Sequence, residues 1–286
     1  MVRLELQYLY EIGRVGQPPL PVLDALQSNL GLVVCDASFP AIVRAVESQT
    51  WTRDPFDRLI VAQASLFDAP LQKKFHDASR AVPRNSYDLR ELVTGTMSAQ
   101  DPVHSVTFVE NHDTQPLQAL EQVVEAWFKP WAYAFILLRD EGYPCIFHAD
   151  WTGADYADHG RDGNGWYPIH LASHEWILRR LLAARRHCAW GEQRDYFDHR
   201  NTVGWSRLGD DLHPHSLGVV ISNGTEEGWK WMEVGRPGAA FVDLFGHREE
   251  RIVANEDGWA RFTVNPESCS VWVAQEQLPD LHAMLP

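Results

Sequence analysis

Five polar residues in a row, Glu110, Asn111, His112, Asp113 and Thr114, follow a run containing Val103, Val106, Phe108 and Val109. β-Branched and aromatic side chains suit a buried strand. The polar cluster then falls at that strand's C-terminal end. Two carboxyls and an imidazole are titratable groups of the kind proton-transfer chemistry uses. In α/β barrels the chemistry gathers at this end of the strands. The four residues Asn111 to Thr114 also suit a plain turn, because Asn and Asp bond nearby backbone and Asp113 or Thr114 can cap the next segment.

Two weaker constellations follow. His170 and His174 stand four apart beside Glu175. On a helix that spacing lets both imidazoles face one metal ion, but the HExxH pattern and a third ligand are lacking. The alternative is a cleft-lining or capping role. Asp155, Asp158, Asp162 and Asn164 crowd a Gly-rich stretch. Oxygen ligands of this type suit Ca²⁺, but the spacing and the terminal Glu of an EF-hand are missing. A solvated loop is the alternative.

The elements that must position these groups are expected as follows. Leu59 to Asp68 is a buried strand and Lys73 to Arg80 a helix. Val103 to Val109 is the strand that carries the polar cluster. Phe128 to Arg139 is a nearly all-apolar helix with Pro130 in its first turn, where proline is tolerated. Gly142-Tyr143-Pro144 is a turn, Cys145 to Phe147 a strand and Ala154 to Tyr167 a loop. His174 to His187 is a helix with its apolar stripe on Leu178, Leu181, Leu182 and Ala184. From about Ala189 apolar residues alternate in short runs between Gly, Asn and Asp turns, the pattern of an antiparallel all-β domain. Residues 277–286 are expected to fray.

The formal net charge of −14 argues against nucleic acid or an anionic membrane surface as partner. No stretch is long and apolar enough to span a bilayer. Cys35, Cys145, Cys188 and Cys269 are far apart and are expected to be buried free thiols of a reducing compartment, which points to a cytoplasmic protein.

The segment Phe108 to Asp113, FVENHD, closely resembles the fourth conserved segment of the α-amylase family of glycoside hydrolases. DTQPLQALE, WFKPWAYAFILLRDEGYPC, Tyr87-Asp88-Leu89-Arg90 and the Thr-Gly-Thr at 94–96 resemble the family's cytoplasmic and liquefying-type branch, fungal intracellular members included. RDYFDH, VGW, NGTEEGWK, EVG, DGWARF and SVWV resemble its C-terminal Greek-key domain. The resemblance covers about Leu59 to Gln275. It implies an α/β plus all-β fold: strands six to eight of a (β/α)8 TIM barrel over 59–188, then an antiparallel Greek-key β-sandwich over 189–276, after a poorly matched segment 1–58. After the eighth strand the family continues Tyr-Gly-Asp-Tyr-Tyr-Gly, whereas this chain has His148, Ala149, Asp150, Trp151, Thr152 and Gly153.

The resemblance implies retaining hydrolysis of α-1,4-glucosidic bonds in starch- or glycogen-like glucans. Retention needs a carboxylate nucleophile and a carboxylic acid about 5–5.5 Å apart. By position, Asp113 matches the transition-state-stabilising aspartate and His112 the histidine that grips sugar hydroxyls, with Asn111 orienting them. Trp151, Trp166 and Trp127 are candidate sugar platforms, with interior packing as the other account of Trp127. The Gly-x-Arg-x-Asp context of the nucleophile and the Gly-Glu-aromatic-Trp context of the acid are absent. Gly13-Arg14 lacks the aspartate, and Glu47 is followed by Ser-Gln-Thr-Trp. The chain is therefore expected to be a C-terminal portion, inactive alone, with a non-catalytic glucan-binding or regulatory role as the alternative. Open barrel edges would favour self-association. No cofactor is expected. Calcium is typical of the family, but its main site lies in segments without a match here. A further ion site in some relatives uses carboxylates where this chain has Asn201 and Asn223.

Overall fold

A computed structural model describes residues 67–278 except 119 and 160–164, together with 281 and positions 10, 17, 18, 20, 21 and 24. The chain divides into two compact units, Met1–Arg44 and Ala45–Pro286. The elements below belong to the second. The poorly matched segment 1–58, apart from the six positions named, and residues 59–66 of the first expected strand lie outside the described residues.

Helix α1 (Ala69–Arg80) starts four residues before the expected Lys73. Asp68 sets that start: its Oδ1 accepts from the Leu71 N–H at 3.0 Å, and Pro70 sits in the first turn where no N–H is missed. The same carboxylate accepts from the N–H groups of Met97 (3.0 Å) and Ser98 (2.7 Å), opening the one-turn helix α2 (Met97–Gln100). Strand β1 (Val106–Phe108) is shorter than expected. Residues 102–104 form a turn that leaves Val103 exposed, so pairing begins only at Val106. Phe67 bridges Val106 in parallel. On the other side β1 pairs in parallel with β2 (Tyr143–Cys145), Val106 opposite Tyr143. This strand starts two residues earlier than expected, because Tyr143 already donates its N–H to Ser105 O at 2.8 Å. Gly142 makes that approach possible. Its φ is +79°, and a Cβ there would lie 2.7 Å from Thr107 Cγ2.

Between β1 and β2 runs helix α3 (Lys129–Leu138), buried at every position except Pro130. A helix apolar on all sides has to be a core element. After β2 come the short helix α4 (His148–Thr152) and the antiparallel hairpin of β3 (Ala154–His159) and β4 (Trp166–Leu171). The sequence pointed to a loop here. Gly and Asp obscured the alternation that the hairpin uses, and residues 160–164 lie outside the described set. Helix α5 (Glu175–Cys188) begins one residue after expected and packs against α3.

The alternating stretches form β5 (Gln193–His199), β6 (Thr202–Arg207), β7 (Leu217–Ser222), β8 (Gly228–Glu233), β9 (Ala240–Asp243), β10 (Ile252–Val253), β11 (Trp259–Val264) and β12 (Ser268–Ala274). Six pair antiparallel in the order β10-β9-β12-β7-β6-β5, and β8 pairs with β11 separately. Period-two alternation gives the large sheet two apolar faces. Val203, Trp205, Leu217, Val219, Ile221, Val271 and Val273 join one core with α1, α3 and α5. Val220 and Trp272 join the other, with Met232 and Phe262 from the antiparallel β8–β11 pair. The end of the chain is not simply frayed. Gln277 and Leu281 are buried and Leu278 packs on the first core, which shields apolar side chains three apart.

Candidate functional site

The polar cluster leaves the C-terminal end of β1. Asn111 Oδ1 accepts from the N–H groups of Asp113 and Thr114, both at 2.9 Å. Thr114 Oγ1 accepts from the Asn111 N–H at 3.0 Å. This is a side-chain-closed turn, the local structure Asn favours. It presents His112 and Asp113 outward, with His112 Nε2 3.6 Å from Asp113 Oδ1 and their side chains 82% and 50% exposed. Asn111 makes the turn, and the side chains of His112 and Asp113 are left exposed beside each other.

Behind the turn lies a buried ionic network that the sequence reading missed. Thr114 Oγ1 donates to Glu110 Oε1, and Val124 N–H donates to Glu110 Oε2 at 3.2 Å. Lys129 Nζ is 3.6 Å from Glu110 and donates to Asp150. Tyr133 donates its O–H to Asp150 Oδ2 at 2.6 Å. Burial is the largest influence on Glu110 and pushes its carboxyl up to about 7, against the pull of Lys129. Burial also raises the Tyr133 phenol and lowers the His174 imidazole, so His174 stays neutral at pH 7. The signal was present: Lys129 is the one charged residue in an apolar helix, and a buried lysine requires carboxylates. Asp150 sits on α4, so the network ties the segment after β1 to the segment after β2.

The tryptophans separate. Trp151 packs against the core with the Arg179 guanidinium 5.1 Å from its ring. Trp166, 64% exposed, lies on β4 against His159. Its hairpin is joined to the segment after Asp113, through Gln118 Nε2 to Asp158 at 2.7 Å and Tyr156 O–H to Pro116 O at 3.2 Å. Trp127 is half-buried and packs on the core. It stands edge-on to Phe128 and Trp131, donates to Ser79 O at 3.2 Å and lies under Arg84.

The two candidate metal clusters do not assemble among the described residues. His170 is on β4 and bonds Asp155 at 2.7 Å, whereas His174 is the residue that opens α5, so the pair does not share a helix face. Asp155 and Asp158 are on a strand with partners of their own, and Asp162 and Asn164 lie outside the described residues. Among the described residues no group of three or more His, Cys, Asp or Glu is placed to hold a metal. Asn201 Nδ2 donates to Asn223 Oδ1 at 2.8 Å, and Asn223 Nδ2 donates to the carbonyls of Arg84 and Tyr87, both at 2.9 Å. A cation between these amides would meet N–H groups, so the residues do not fit one. Cys188 and Cys269 are buried free thiols, but Cys145 is exposed at the β2 strand and Cys35 is not among the described residues.

The family described as α-amylase C-terminal matches residues 217–273. The cytoplasmic α-amylase of Escherichia coli K12 is 48% identical over 219 residues, 76% of this chain and 43% of that protein. An α-amylase of Geobacillus stearothermophilus is 44% identical over 74% of this chain and 36% of its own length. The glucan 1,4-α-maltohexaosidase of Bacillus sp. strain 707 is 42% identical over 73% and 38%. The chain thus spans less than half the length of these curated relatives. In fold it is similar to α-amylase I of Eisenia fetida, with a TM-score of 0.54 at 15% identity over 72% of this chain and 48% of that one. No helix among the described residues is long and apolar enough to cross a membrane. In its matched part the chain belongs to the α-amylase family, of which it carries the C-terminal portion.

Proposed function

We propose that this chain supplies the back of an α-amylase-type active site and binds α-1,4-linked glucans of the starch and glycogen kind. In this reading Phe67, β1 and β2 are strands six to eight of a (β/α)8 barrel, ending near residue 188. The all-β part from 189 to 276 is its Greek-key sandwich. Asp113 stabilises the oxocarbenium-like transition state of retaining hydrolysis and His112 grips the adjacent hydroxyls. Asn111 holds the turn, and Trp151 and Trp166 offer indole faces to pyranose rings. The observation that carries the reading is the His112–Asp113 pair projecting from the C-terminal end of a parallel strand, 3.6 Å apart. The relationship to the E. coli cytoplasmic enzyme supports a cytoplasmic location.

Because the nucleophile and acid motifs have no match in the sequence, the chain alone hydrolyses nothing. Asp113 cannot replace a nucleophile and an acid at once. Incubated with soluble starch, the purified chain is expected to release no more reducing ends than its Asp113→Asn variant. Release that this variant abolishes would place a carboxylate pair in residues 1–68 and overturn the reading. Glucan recognition has its own test. Maltohexaose is expected to shift the His112 imidazole resonances in NMR, with binding about tenfold weaker in Asp113→Asn, the loss of about 1.4 kcal/mol of charged hydrogen bonding. An unmoved His112 signal would leave the chain with no glucan site at this turn.

A further inference from the structure

Thr114 closes the turn from within. Its Oγ1 accepts the Asn111 N–H at 3.0 Å, so the hydroxyl's single proton is committed to Glu110 Oε1. One buried hydroxyl thus joins the backbone of the turn to the ionic network behind it. From Glu110 the network runs through Lys129 to Asp150, whose Oδ2 takes the Tyr133 O–H at 2.6 Å. The Asp150 carbonyl also accepts the His174 N–H at 2.7 Å. The next residue is Trp151, and its carbonyl accepts the Ser173 hydroxyl at 2.6 Å. The backbone that carries this indole is therefore held from the α5 side as well.

We propose that Thr114 is a positioning residue: through its hydroxyl the Glu110–Lys129–Asp150 network sets His112 and Asp113 in one arrangement, in register with Trp151 on α4. Three observations support it. The turn needs no buried ions to form, because Asn111 Oδ1 already closes it with two N–H groups at 2.9 Å. A buried ammonium between two carboxylates is a poor source of stability, since desolvation offsets the attraction and packed apolar side chains of similar volume serve as well; what a fully bonded polar network supplies is a defined geometry. The network also begins at Glu110, the residue before the turn, and ends at Asp150, the residue before Trp151. It spans the two sides of the candidate site. That these side chains meet a glucan rests on the function proposed above; their positioning by Thr114 does not.

Amide hydrogen exchange and NMR on the whole chain, without sugar, test it. Thr114→Val keeps the shape of the side chain and removes the hydroxyl. It is expected to speed exchange of the amides of residues 113 and 114 about tenfold, and to shift the His112 imidazole and Trp151 indole resonances. Thr114→Ser, which retains the hydroxyl, is expected to restore the wild-type behaviour. The Asp150 side chain bonds Lys129 and Tyr133 rather than the turn. Asp150→Asn is nevertheless expected to speed the same two amides about threefold, and Tyr133→Phe stands in if that variant does not fold. Gly204→Ala, which overpacks β6, is expected to leave these amides and resonances where they are. If Thr114→Val does not fold, Glu110→Gln is read in the same way, since it keeps an acceptor for Thr114 and removes the charge facing Lys129. Unchanged exchange in the valine variant overturns the proposal, as does a serine variant that behaves like valine. So do turn amides that ignore both Asp150→Asn and Tyr133→Phe. Equal acceleration in Gly204→Ala would make Thr114 a merely stabilising residue and overturn it too. Maltohexaose is added only afterwards. A wild-type chain whose His112 ignores it loses the glucan reading, while the exchange rates still decide the positioning.

Discussion

At the scale of single residues, Glu110 is the group with the most to say about pH. Burial raises its carboxyl from 4.5 to about 7, so the folded protein favours the protonated form. That contribution is fully present below the unfolded value and is lost as pH rises through about 7. Melting curves of wild type and Glu110→Gln are therefore expected to diverge between pH 5 and pH 8, the wild type losing up to roughly 3 kcal/mol relative to the variant. Lys129 keeps Asp150 as a partner in both. Parallel curves would show that Glu110 is not perturbed. The placement of His112 and Asp113 at the end of an apolar strand was legible in the sequence because they are consecutive and follow an apolar run; any role for them came only with the family resemblance. Glu110, Lys129 and Asp150 were not legible as a group. They are far apart in the chain, and only the parallel pairing of β1 with β2 brings them together.

At the scale of elements, one carboxylate begins two helices. Asp68 is fully buried and accepts from three backbone N–H groups, on α1 and α2. Asp68→Ala is expected to lower stability by about 2–4 kcal/mol, one lost cap plus buried donors left without partners. Chemical denaturation reads the change, and a loss under half of this would mean that the caps are replaced by other groups. A second expectation concerns β6. A Cβ on Gly204 would lie 2.7 Å from Val219 O and 2.9 Å from Met232 Sδ. Gly204→Ala is expected to destabilise by about 1–3 kcal/mol through overpacking, read as a lower thermal midpoint. The β strands were legible because alternation is a local signal. The start of α1 and the β3–β4 hairpin were not, since the first depends on a carboxylate shared with a distant helix and the second hides among Gly and Asp.

At the scale of the molecule, the segment 84–87 is clasped to the sheet by amides rather than by an ion. Asn223 donates to Arg84 O and Tyr87 O, while Asn201 donates to Asn85 O and to Asn223. Asn223→Ala is expected to lower the thermal midpoint by several degrees, the effect of roughly 1–3 kcal/mol from stranded carbonyls. EDTA is expected to leave the wild-type midpoint where it is; a fall on chelation would reveal a cation that the amides exclude.

The two-faced sheet bears on how such a protein can be passed on. Strands β7 and β12 send alternate residues into two different cores, so neither half owns the sheet. A recombination event that carried away only β5 to β12 would deliver a sandwich with Val203, Trp205, Leu217, Val219 and Ile221 turned toward water. The sandwich and helices α3 and α5 are therefore one packing unit, and a lineage that kept only the sandwich would have to cover that face by other means.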